Sequence, residues 1–101
     1  MMKRYKKSEY HYQNYYGPDL LRAFMAHPRY ESIKEQSNES MASCEIKMQG
    51  VDKLKYTFTR EDAKKLNLLN SSPIWKKYTK RMMVNRARAC AIRLALESIN
   101  Q

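Results

Sequence analysis

The chain has 101 residues, 43% of them hydrophobic and 30% charged, with 20 Lys+Arg against 10 Asp+Glu and a formal charge of +10. Its length fits one small domain, its apolar content excludes disorder by composition, and its 2 glycines exclude a glycine-rich phosphate loop. The positive excess favours a polyanion as partner, either nucleic acid or an anionic membrane surface.

The charge is unevenly placed. Residues 1–52 hold eight basic and seven acidic side chains, a net +1. Residues 53–93 hold twelve basic side chains against Glu61 and Asp62 alone, a net +10, and Glu97 then lowers the total by one. An anion-facing surface therefore belongs to the second half. Cys44 and Cys90 are too few for a disulfide scaffold and sit among small or apolar residues, so they read as core positions. The basic start, Met1 to Lys7, leads into no apolar run and is not a secretory signal. No stretch approaches the roughly twenty apolar residues of a membrane span, and a cytoplasmic protein with no membrane contact is the expectation.

In chain order, residues 1–19 form a Tyr/Lys-rich N-terminal arm, and residues 20–101 form the folded domain. Gly17-Pro18-Asp19 is expected to break the chain. Leu20, Leu21, Phe24 and Met25 then share one face of a short helix that His27-Pro28 ends. Tyr30 to Gln36 is a weak strand, closed by the turn-like Ser37-Asn38-Glu39-Ser40. Ala42, Cys44, Ile46 and Met48 alternate with polar residues, and after Gln49-Gly50-Val51-Asp52 so do Leu54, Tyr56 and Phe58. Two such runs around a Gly-containing turn predict a β-hairpin with Lys53 and Lys55 facing outward.

Thr59 is placed to cap a short helix whose first turn carries Glu61 and Asp62, and which ends near Asn67. Asn70-Ser71-Ser72-Pro73 reads as a loop before a long final helix. The fold class is α+β: short helix, small antiparallel sheet of two or three strands, short helix, long basic C-terminal helix.

From Trp75 to Arg93 that last segment carries seven basic side chains and no acidic one. At 100° per residue, Met83, Ala87, Cys90, Ala91 and Leu94 share one face, while Tyr78, Met82, Ala89, Ile92 and Leu96 lie roughly opposite. Two apolar stripes predict a helix packed on two sides, with the arginines emerging along the seams. Lys76, Lys77, Lys80, Arg81, Arg86, Arg88 and Arg93 can supply phosphate contacts, with Lys53 and Lys55 as a second strip. Trp75 and Tyr78 among them suit stacking of unpaired bases, although a Trp near a helix start also suits a core anchor. Some arginines can pair with Glu31, Glu35, Glu39 or Glu45, but the acids are too few to neutralise all of them.

Nothing points to catalysis. His11, His27, Cys44 and Cys90 have no zinc-ligand spacing, Glu61 and Asp62 suit a helix start better than acid/base work, and no cofactor, metal or small-molecule substrate is implied. A non-enzymatic binding protein is the expectation.

The hairpin followed by Thr59-Arg60-Glu61-Asp62-Ala63-Lys64-Lys65, then Pro73-Ile74-Trp75-Lys76-Lys77-Tyr78, then Arg81-Met82 with Arg86-Ala87-Arg88 and Ala91-Ile92-Arg93, resembles the RecT family. These are phage and prophage single-strand annealing recombinases, and the likeness covers residues 28–95, the later part of the family core. It departs where the family continues "R-x-x-F-P-D", since here Arg93 leads into Leu94-Ala95-Leu96. The resemblance implies single-stranded DNA binding, ATP-independent strand annealing in DNA recombination, and homo-oligomerisation. The cations of Trp75–Arg93 would then line or support the DNA groove, in a truncated remnant of a recombinase. The alternative is a non-catalytic protein-interaction or oligomerisation fragment that needs a missing domain or partner.

Overall fold

The computed structural model describes residues 17–99; the N-terminal arm expected over residues 1–19 falls almost wholly outside them. The first helix, α1, spans Gly17–Met25. Gly17-Pro18-Asp19 thus opens the helix instead of breaking the chain ahead of it. The missing Pro18 N–H costs nothing in a first turn, and Asp19 complements the positive end of the dipole. Leu20 and Phe24, one turn apart, are fully buried, and the Phe24 ring meets Tyr30 edge-on at 5.5 Å.

Three strands follow, β1 (Tyr30–Ser37), β2 (Met41–Met48) and β3 (Leu54–Thr59), paired antiparallel in the order β1-β2-β3. Cross-strand rows Ile33–Ile46–Leu54 and Glu35–Cys44–Tyr56 share one face, the face on which Cys44 and Ile46 are buried. Alternation sends Lys34, Glu45 and Lys55, another cross-strand row, to the other face. The Asn38 side-chain oxygen accepts from the Ser40 and Met41 amides at 2.8 and 3.0 Å and tightens the first turn. In the second turn Gly50 holds φ +77°, which a side chain would strain, and the Arg29 guanidinium donates to the Gln49 carbonyl beside it at 2.8 and 3.1 Å.

Helix α2 (Arg60–Lys65) starts from a reciprocal cap. The Asp62 amide donates to the Thr59 hydroxyl at 3.0 Å, and the Thr59 amide donates to the Asp62 carboxylate at 2.9 Å. Asn67 then takes a left-handed conformation, φ 59°. The segment expected as a loop over 70–73 instead contains one helical turn, α3 (Leu68–Ser71), and Pro73 begins a further short helix, α4 (Pro73–Lys77). The final helix, α5 (Thr79–Ile99), is separated from α4 by Tyr78, at φ −122°, ψ 47°. One continuous helix through Trp75 and Thr79 is therefore corrected to two. The Thr79 hydroxyl donates to the Trp75 and Lys76 carbonyls at 2.8 and 3.3 Å, occupying acceptors left where the α4 ladder stops.

Helix α5 contacts all three strands and α1, so it is packed on two sides as its two apolar stripes predict. Met83, Ala87, Ala91 and Ala95 recur every fourth residue and are buried. Ile92 and Leu96 are buried as well, roughly 140–180° round the axis from Ala87. The stripes are not uniform, because Leu94 is 40% and Tyr78 47% exposed. One core joins α1, the inner sheet face, Ala63, Trp75 and α5. Among the described residues no helix is long and apolar enough to cross a membrane.

Candidate nucleic-acid interface

The break at Tyr78 makes an elbow between α4 and α5, and the elbow gathers positive charge. Lys76 and Lys77 lie on one side of Tyr78, Lys80 and Arg81 on the other, and all four are exposed. Among the described residues no ion pair engages any of them. The first turn of α5 holds no acidic residue, so the positive end of this 21-residue helix adds to the four cations instead of being offset. Tyr78 projects among them, with the Lys77 ammonium 5.4 Å from its ring centroid.

Beside the elbow lies an open cleft of about 770 Å³. Lys77, Tyr78, Thr79, Lys80 and Arg81 form one wall, Val84, Asn85 and Arg88 continue it along α5, and Ser37 at the end of β1 and Pro18 at the start of α1 complete the lining. The cleft thus joins the N-terminal part of α5 to the end of β1 and the start of α1.

The other residues expected to meet an anion divide into different environments. Trp75 is only 7% exposed, its ring 6.0 Å from Phe58 and inclined by 53°. It is a core anchor and is not available as a base platform, because α4 turns its side chain toward β3. Arg88 is neutralised by Glu35 of β1, its Nε and Nη2 donating to both carboxylate oxygens, the latter at 3.0 Å. Arg86 is exposed but leans over the Phe58 ring at 5.8 Å, and Arg93 is half-buried farther along α5. Lys53 and Lys55 sit on the sheet face turned away from α5, and Lys53 pairs with Glu45 at 3.5 Å. The two lysine groups therefore do not form one surface with the elbow.

Sequence reading overlooked Ser37, Thr79 and Asn85, which carry no charge to draw attention. Asn85 was within reach of it: four residues after Arg81 and three before Arg88, it shares their helix face. Its amide oxygen accepts from Arg88 Nη1 at 3.4 Å, joining the cleft wall to the ion pair.

Electrostatic perturbation is concentrated under the helix. The hydrogen bonds it donates to Glu35 hold the Arg88 guanidinium above its ordinary pKa, against the opposing effect of burial. Burial, reinforced by the Glu35 carboxylate and partly offset by Arg88, pushes the Cys44 thiol up to about 12. Tyr56 is raised by the charge of Cys90, by burial and by a hydrogen bond with Cys90. Among the described residues no three His, Cys, Asp or Glu side chains come together to hold a metal ion.

No protein-family model matches this chain, and no curated protein or solved structure matches it either.

Proposed function

We propose that the chain binds single-stranded DNA at the α4–α5 elbow and serves RecT-like, ATP-independent strand annealing in recombination. The observation that carries the reading is the exposed set Lys76, Lys77, Lys80 and Arg81, engaged by no ion pair among the described residues, around an exposed tyrosine at a helix end that is itself positive. Four cations within six residues suit repeated phosphates, and an aromatic ring among them suits an unpaired base. The RecT component rests on the order of the hairpin, the Thr59–Lys65 helix and the Arg81–Arg93 pattern. Backbone contacts dominate, so most bases stay free to pair.

A second reading draws on a different observation. Leu66 and Ile74, at the ends of the short helices, are 53% and 57% exposed. Exposed apolar groups of that size suit contact with another chain, as in an oligomerisation or protein-interaction fragment.

Anisotropy of a fluorescent oligo-dT across a salt series, with duplex as competitor, tests the first reading. The expected result is preference for the single strand and a log–log salt slope of roughly −0.7 per phosphate neutralised. A folded sample that binds nothing at low salt would overturn it. Concentration-dependent light scattering then addresses the second.

A further inference from the structure

Simple attraction of a polyanion requires only the rim of the elbow. The cleft behind it has a different chemistry. Its about 770 Å³ falls within the range of roughly 300–1,000 Å³ typical of small-molecule sites. Its lining combines the cations of the elbow and the paired Arg88 with the apolar Val84, the Asn85 amide and the Ser37 hydroxyl. Tyr78 lines it with nearly half its surface free. A chain of phosphates alone accepts hydrogen bonds from the amide and the hydroxyl but uses neither the valine nor the ring. A nucleotide uses all of them: its phosphate meets ammonium and guanidinium groups, its base has a flat apolar face, and its edge carries donors and acceptors.

We propose that this cleft receives one unpaired nucleotide of the bound strand, the base against the Tyr78 ring and its edge toward Asn85, with the flanking phosphate between Lys80 and Arg81. The inference rests on the proposed single-strand binding and specifies which part of the ligand enters the protein. The Lys77 ammonium lies over one face of the Tyr78 ring, so the base stacks on the opposite face with a cation across the ring from it. A base inside a duplex is stacked and paired, and would have to be extruded at a cost before it could enter. The cleft therefore selects single strands by a base contact that the salt-dependent phosphate contacts cannot make. Holding one nucleotide leaves its neighbours free to pair.

The test compares a fluorescent oligo-dT with an abasic oligomer of equal length and equal phosphate number, against the full chain. The wild type is expected to bind the oligo-dT roughly ten-fold more tightly. Tyr78→Ala should lower oligo-dT affinity to the level of the abasic oligomer and leave abasic binding unchanged, while Tyr78→Phe keeps the preference. Lys80→Ala combined with Arg81→Ala should weaken both ligands alike. Circular dichroism checks that the variants fold, and truncating an exposed side chain removes little from the core. Equal wild-type affinity for the two oligomers, or a Tyr78→Ala loss of the same proportion on both, would overturn base insertion and leave phosphate binding standing. Binding of neither oligomer by the wild type would overturn both readings.

Discussion

Arg88 of α5 and Glu35 of β1 form a two-pronged ion pair across the helix–sheet interface, with side chains 17% and 31% exposed. The geometry is the fork-to-carboxylate match that a lysine cannot reproduce. Removing one partner leaves a half-buried charge facing Cys44 and the Asn85 amide. Arg88→Ala or Glu35→Ala is expected to cost about 2 kcal/mol of stability in urea unfolding. The double variant should cost less than the sum, and Arg88→Lys should recover only part. Additive losses would show that the pair is not coupled.

Trp75 reports on the core and not on DNA. It is the only tryptophan, buried beside Phe58. Its fluorescence should be blue-shifted in the folded chain and should change little when oligo-dT saturates the elbow. Trp75→Ala should destabilise the fold by about 3–5 kcal/mol. Strong quenching by the oligonucleotide, with the fold intact, would place the indole at the interface and contradict the burial.

The elbow and the outer sheet face make separate predictions for charge removal. Lys80→Ala with Arg81→Ala should make the salt slope for oligo-dT shallower by about 1.4, two phosphates' worth. Lys53→Ala with Lys55→Ala should leave the slope near its wild-type value, because those side chains point away from α5 and Lys53 is paired with Glu45. An equal effect from both pairs would mean that the strand wraps around the sheet edge.

The fold was largely legible because its periodicities are strong and local. Ala42 to Met48 and Leu54 to Phe58 alternate cleanly, Thr59 and Asp62 sit at capping distance, and the alanine-rich stripes of α5 announce two packing partners. The short helices α3 and α4 were not legible. A single turn such as Leu68–Ser71 leaves no period to read, and the stop at Tyr78 contains neither proline nor glycine. For the site, charge located the segment but could not say which cations are spent within the fold. Arg88 and Lys80 look alike in sequence; only the approach of Glu35 from a strand 53 residues away separates them. Trp75 was likewise undecidable from its neighbours, since a basic flank surrounds core and surface aromatics alike.

The Thr59–Asp62 cap links stability to pH. The Thr59 amide donates to the Asp62 carboxylate and, with the Thr59 side chain alongside, holds that carboxyl below its ordinary pKa. A depressed folded pKa means that the unfolded chain binds the proton first as pH falls. The contribution is therefore complete above the unfolded value, about 3.9, and is lost as pH drops through the folded one. Thr59→Ala should cost about 1 kcal/mol at neutral pH. Asp62→Asn should destabilise at pH 7, and its difference from wild type should shrink toward pH 2. A difference that stays constant over that range would show that the carboxylate charge plays no part in the cap.

The two cysteines should behave oppositely toward an alkylating reagent. Cys44 is fully buried, and burial with the neighbouring Glu35 carboxylate raises its thiol to about 12, so at neutral pH it offers neither access nor thiolate. Cys90 is half-buried on α5. Iodoacetamide labelling at pH 8, followed by mass spectrometry, should modify Cys90 first and Cys44 only as the chain unfolds. The same raised pKa predicts a second effect. Between an unfolded value of about 8.5 and the folded value of about 12, the unfolded chain has lost its thiol proton and the folded chain keeps it. Stability should therefore fall with rising pH across that window. Cys44→Ala should flatten part of the decline while introducing a cavity penalty that does not depend on pH. Rapid labelling of Cys44 under native conditions would show that α5 leaves the sheet often enough to expose it.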